Sequence, residues 1–319
     1  MKQELFQRHY EADWQRLTQI LFALDHHQNL SPEDAERFPV LYRSVCKQLS
    51  LARDRNYSAH VVDLLNQLVL RGHHRFYQPK STAWQRLWRF LWFDFPKAVR
   101  AEYRLFWLCA LLFFGPLLGM VAWIDARPEI AYSVLSPEQL ASYEMMYRPG
   151  NRLERDETSD ILMFGYYIRN NVGIGFRTFA SGLFFGIGSV FFLLLNGLVI
   201  GAVAGHIFQL GYQDVFLPFV AGHGSLELTA IVLAGVAGLK LGMVLVRPGP
   251  LTRSQALKLT SRKTLPMVYG MALMLILAAM VEAFWSPAPF PAQIKYAVGI
   301  GGWVAVALYF WLAGRSHGH

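Results

Sequence analysis

Five long apolar blocks set what this chain can fold into: Leu105–Ile124, Val172–Leu210, His223–Val246, Leu265–Phe284 and Ile294–Ala313. One helical crossing of a bilayer takes about 20 residues. Four of the blocks suit one crossing each. The second is about twice that length, and it reads as two crossings joined by a tight turn at Asn196-Gly197, a pair of turn-forming residues. Hydrophobic residues make up 54% of the chain and charged residues only 16%, which lies outside the usual soluble range. The expected fold is all-α: a polytopic helical membrane protein with about six transmembrane helices. The first residues, MKQELFQRHYEADW, are charged and carry no apolar core of a signal peptide, so the first span is expected to direct insertion.

Charge sets the expected orientation. Residues 1–104 and Arg247–Lys263 carry an excess of Lys and Arg, whereas Asp125–Asp160 carries twice as many acids as bases. Basic segments stay cytoplasmic, so both termini and the 247–263 turn are expected inside and the 125–160 loop outside. The protein is therefore expected in a bacterial inner membrane. The net charge of +8 follows from topology and attraction to anionic lipid, with no nucleic acid partner. Cys46 and Cys109 have no metal-site spacing and read as reduced packing residues.

Three regions succeed one another along the chain. Residues 1–81 are expected to form a helical cytosolic domain, from the stripes Trp14, Leu17, Ile20, Leu21, Leu24 and Val61, Leu64, Leu65, Leu68, Val69, with a helix start at Ser31-Pro32-Glu33-Asp34. Residues 82–104 place Trp84, Trp88 and Trp92 on one face and Gln85, Arg86 and Arg89 on the other. That pattern suits an amphipathic helix at the lipid interface, broken by Pro96. Residues 105–315 are the membrane domain, with ILMFGYYI at 161–168 too short to span and expected at the outer interface.

Two constellations stand out in the membrane domain. Gly182/Gly186, Gly197/Gly201/Gly205 and Gly238/Gly242 are small-residue ridges that let helices approach closely in lipid. The other is a polar cluster of Arg169, Asn170, Asn171, Arg177, His206, His223, Glu227 and Glu282. An ionisable residue inside a bilayer costs about 2.5–3.5 kcal/mol on insertion scales, so each calls for a reason. His223 and Glu227 lie one helical turn apart. Arg177 and Glu227 are expected at similar depth, with Glu227 paired to Arg177 or His223, His206 near mid-membrane and Lys240 snorkelling to the surface. Three readings compete: a structural ion pair, a site for an ion, proton or lipid headgroup, and an intramembrane hydrolase. The last lacks a His-Glu-x-x-His order or a Gly-x-Ser-x-Gly in strand-turn context, so no catalytic residues, metal or cofactor are assigned.

Arg169-Asn170-Asn171, the run Gly182/Gly186-x-Gly188, Asn196-Gly197 with Gly201, and His223-Gly224-x-x-Glu227-Leu228 before Ala230-Ile231 resemble the signature of the stage II sporulation protein M family. Leu41-Tyr42-Arg43 and Leu51-Ala52-Arg53 are similar to its bacterial members. The resemblance implies a multi-pass inner-membrane protein without an established catalytic activity. In spore formers the namesake scaffolds a complex with extracytoplasmic peptidoglycan-cleaving partners. This chain departs from that smaller protein in its long tryptophan-rich amino-terminal part. The resulting expectation is a non-enzymatic membrane scaffold or assembly protein, linked to cell-envelope remodelling, with lipid, other membrane or envelope proteins, or a second copy as partners. The alternative is a transporter or channel for a small solute, ion or lipid through His223, Glu227 and Arg177.

Overall fold

The start of the second helix falls where its side chains mark it. In the computed structural model, which describes residues 2–26, 30–76, 82–150 and 157–315, the Ser31 hydroxyl accepts the Asp34 N–H at 3.1 Å and starts α2. Helices α1 (Gln3–Asp25), α2 (Pro32–Asp54) and α3 (Ala59–Phe76) form one compact unit, Met1–Thr82, and Ala83–His319 form a second. The first unit closes on Phe6, Trp14, Leu17, Ile20, Leu21, Val45, Leu49, Val61, Leu65 and Leu68. The buried Trp14 indole donates to Gln48 Oε1 at 2.6 Å, so its polar N–H is satisfied inside the core. Leu64, from the same stripe as Leu65 and Leu68, is left exposed.

The second unit begins with α4 (Ala83–Arg89), a π-helical turn Phe90–Asp94 and α5 (Phe95–Ala101), which run on without a gap. Pro96 does not break this run. It follows closely on the π-helical turn, where the backbone hydrogen-bond register changes, and the break comes at Glu102 instead. Trp84, Trp88 and Trp92 remain exposed along it. Lys240, expected to snorkel, pairs with Glu102 at 2.8 Å.

Five described helices are long and apolar enough to cross a membrane: α6 (Tyr103–Ala126), α11 (Ile187–Gln209), α12 (Gln213–Val246), α13 with its π-helical end (Arg253–Trp285) and α14 (Ala292–Leu312). Between α6 and α11 stand α7 (Ala131–Val134), α8 (Pro137–Tyr147), α9 (Glu157–Tyr167), a π-helical turn Ile168–Val172 and α10 (Gly173–Ala180), which ends in a 3-10 turn Ser181–Leu183. Residues 157–183 are helical without interruption, roughly 40 Å at 1.5 Å per residue. Tyr166 and its neighbours, expected to lie flat at the interface, are thus the first turns of a sixth pass. Arg169, Asn170, Asn171 and Arg177 keep that pass less apolar than the other five.

Contacts between helices give the directions. A Cβ at Gly201 would meet the Leu117 carbonyl of α6 at 2.5 Å, and one at Gly205 would meet Ile124 at 3.1 Å, so α11 and α6 run parallel. Gln209 and Asp125 are hydrogen-bonded at their shared end. The 157–183 pass must therefore return the chain between them. Asn196 and Gly197 lie in the middle of α11, and the turn is at Phe184–Gly186, where Phe185 and Gly186 take positive φ of 53° and 86°. Gly197 is not a turn residue; a side chain there would collide with α6 backbone.

Helix α12 is the axis of the unit: residues 229–238 are buried without a break, whereas α14 buries only Lys295 and Gly299. Gly182, Gly186, Gly238 and Gly242 meet one another where α10 and its turn cross α12. The side of the unit that carries α7 and α8 is its loop side. Reporter fusions after residues 80, 185 and 255 should agree in reporting cytoplasm, and one after residue 140 should report the outside. A fusion after 185 that reported the outside would remove the 157–183 pass.

Candidate functional site

Within α12, His223 and Glu227 stand at i and i+4, so both side chains face one direction. The His223 side chain is 5% exposed and that of Glu227 16%. The helices beside them come close because the intervening residues are small. Gly222 lies under the Trp285 ring, and Gly299 of α14 lies against Ala221. Opposite stands the π-helical end of α13, Val281–Trp285, which carries Glu282. A single π turn inserts one residue into the 3.6-residue repeat and re-aims the side chains beyond it; such turns are frequent at functional sites. The second π turn of this region, Ile168–Val172, carries Asn171, and the two turns meet across the site.

One nitrogen and two carboxylates converge there. A His223 ring nitrogen and single oxygens of Glu227 and Glu282 all lie within 4.8 Å of one another. His223 Nε2 stands 3.8 Å from Glu227 Oε2, beyond hydrogen-bond range. Its Nδ1 lies 3.1 Å from the Ser286 hydroxyl, and the Ser286 carbonyl accepts the Lys295 ammonium at 2.6 Å. Asn170 donates to Asn171 Oδ1 at 3.0 Å, and Asn171 donates to Glu282 Oε2 at 3.0 Å. Both the imidazole and one carboxylate are thus held in orientation from behind. Among the described residues no donor reaches Glu227 within hydrogen-bond distance.

A tyrosine covers the site from the loop side. Tyr147, the last residue of α8, packs its ring on Phe216 at 4.9 Å and Phe219 at 5.8 Å. Burial raises its phenol pKa well above the ordinary value, and the nearby Glu282 carboxylate raises it further, so it stays a neutral hydroxyl.

The structure therefore brings together Asn170, Asn171, His223, Glu227 and Glu282, and separates Arg169, Arg177 and His206 from them. The expected Arg177–Glu227 pair is not formed. Arg177 is exposed and donates to its own helix at Gly173 O, 3.1 Å, because the helical register turns it outward. His206 is not at mid-membrane. It sits near the loop-side end of α11 and bonds Glu144 of α8 at 2.7 Å, pinning the loop. Sequence reasoning missed Ser286, Lys295 and Tyr147. Lys295 did carry a signal, as the one charge in the block Ile294–Ala313, where a charge is as costly as at Glu227. Tyr147 carried none, since its place depends on how the loop folds back.

Apolar helices around a central α12, with polar side chains held between them, define a multi-pass helical membrane protein. Residues 108–287 match the family described as Stage II sporulation protein M, and the chain belongs to that family. Residues 4–78 match a second family, Domain of unknown function (DUF8413). Neither curated proteins nor solved structures gave a match.

Proposed function

We propose that this is a non-enzymatic bacterial inner-membrane protein that admits a small cation, a proton or metal ion, from its loop side to His223, Glu227 and Glu282. One observation carries the reading: two carboxylates and an imidazole converge in a membrane unit, and Arg177 is turned away from them. Carboxylates so close repel each other, and both stay ionised only with a positive charge between them. Termini and the 247–263 turn are placed in the cytoplasm, as the distribution of Lys and Arg supports. The exposed Trp84, Trp88 and Trp92 with Arg86 and Arg89 support a lipid-facing role for α4. A second reading, an assembly scaffold for envelope proteins, draws support from the amino-terminal unit, which has its own core and its own family match.

Solvent access tests the first reading. In a chain carrying Cys46→Ser and Cys109→Ala, Glu227→Cys should react with a membrane-impermeant thiosulfonate reagent in vesicles of one orientation for a binding site, and of both for a transport pathway. No reaction in either orientation would mean a sealed site and would leave the scaffold reading.

A further inference from the structure

We propose that His223 Nε2, Glu227 and Glu282 form a binding site for one divalent metal ion of the zinc, manganese or iron(II) type. This rests on the cation reading above and narrows its ligand. Three features of the geometry carry it.

The first is the donor set. One imidazole nitrogen and two carboxylate oxygens suit borderline divalent ions; alkali ions do not select imidazole. The ligand atoms lie within 4.8 Å of one another. Tetrahedral bonds of about 2.0–2.1 Å bring ligands to roughly 3.4 Å apart. The His223–Glu227 separation of 3.8 Å is already near that value. Glu282 lies within 4.8 Å of both, so an ion between the three needs only a small adjustment.

The second feature is the ring itself. His223 is 4% exposed, and its Nε2 faces the site without a hydrogen bond, while Nδ1 is held by Ser286 Oγ. A buried imidazole with one nitrogen fixed from behind and the other aimed at two carboxylates is the arrangement of a metal-ligating histidine, whose second nitrogen is almost always tied to an oxygen. A histidine serving only to pack would bond both nitrogens or turn Nε2 away from the acids.

Third comes the support behind the acids. Asn170 and Asn171 orient Glu282 in relay from the facing π turn. These amides fix the direction of the carboxylate. Two carboxylates cancel the charge of a divalent ion, which is what makes such an ion tolerable at this depth. Lys295, a cation on the neighbouring helix, is engaged by the Ser286 carbonyl.

The test uses the full chain with a tag free of histidine, purified in mild detergent, stripped with chelator and titrated with Zn²⁺, Mn²⁺ and Co²⁺. One ion per chain should be retained, and Co²⁺ should give visible d–d absorption. His223→Asn, Glu227→Gln and Glu282→Gln should each abolish retention. Asn171→Ala and Ser286→Ala, which leave the ligands in place, should weaken it about 10–100-fold, and they decide the matter if a ligand variant misfolds. Lys295→Met removes a positive charge and should leave binding equal or tighter. Glu144→Gln changes the other His–Glu pair and should have no effect. No retained ion, or retention that Glu227→Gln and Asn171→Ala leave unchanged, overturns the metal site. If residue 227 is labelled from the loop side but no metal binds, the cation reading survives with a proton or monovalent ion. If metal binds and residue 227 is sealed, the metal is structural and the uptake reading fails.

Discussion

Gly238→Val should abolish the folded membrane unit, and Gly238→Ala should lower its stability by about 1–3 kcal/mol or more. A Cβ at Gly238 would fall on Ser189 Oγ and lie 2.6 Å from the Phe179 carbonyl. One at Gly182 would fall on Gly238 backbone, and one at Gly242 would fall on Gly186 backbone and lie 2.6 Å from Gly182 O. Backbone cannot rotate aside as a side chain can, so the α10 turn and α12 would have to separate. In lipid no hydrophobic effect between helices repays the lost contact. Thermal unfolding of purified variants in one detergent gives the measurement. Gly119→Ala is the control: nothing lies within 4 Å of its Cβ position on the exposed face of α6, and alanine should leave stability unchanged or raise it by about 0.5–1 kcal/mol. Equal tolerance at 119 and 238 would show that the crossing is looser than the structure has it.

Glu227→Gln should leave the chelator-stripped protein as stable as the parent, or more stable. The sign of the change discriminates between the two possible partners. If Arg177 were its partner, neutralising Glu227 would strand a buried charge at a cost of about 3–5 kcal/mol. In the structure Arg177 faces outward, and Glu227 faces a second carboxylate within 4.8 Å. Removing its charge relieves repulsion and the cost of holding an ion away from water. Arg177→Met should change stability by no more than about 0.5 kcal/mol. The two changes together should be additive within about 0.3–0.5 kcal/mol. A loss of several kcal/mol for Glu227→Gln alone, recovered with Arg177→Met, would restore the structural pair and remove the basis of the cation reading.

The lengths of the apolar blocks were enough to make this chain a helical membrane protein, because about 20 apolar residues in a row have few other places to go. The glycine ridges were legible for a related reason: small residues at four-residue spacing lie on one helix face whatever the neighbour is. His223 and Glu227 could be flagged because a charge inside a span is expensive wherever it points. Tertiary structure decided the rest. Asn196-Gly197 looked like a turn, yet Gly197 serves close packing against α6, and the true turn at Phe184-Phe185-Gly186 rests on Gly186 behind two phenylalanines inside an apolar block. The partners of Glu227 depend on helix rotation, which hydrophobic periodicity barely constrains when nearly every face is apolar. Two π turns, at 168–172 and 281–285, shift that rotation by one residue each, and they turn Asn171 and Glu282 inward. A 3.6-residue repeat read along the sequence cannot register such an insertion. That is why depth could be estimated from residue numbers while the neighbours of Glu227 had to await the fold.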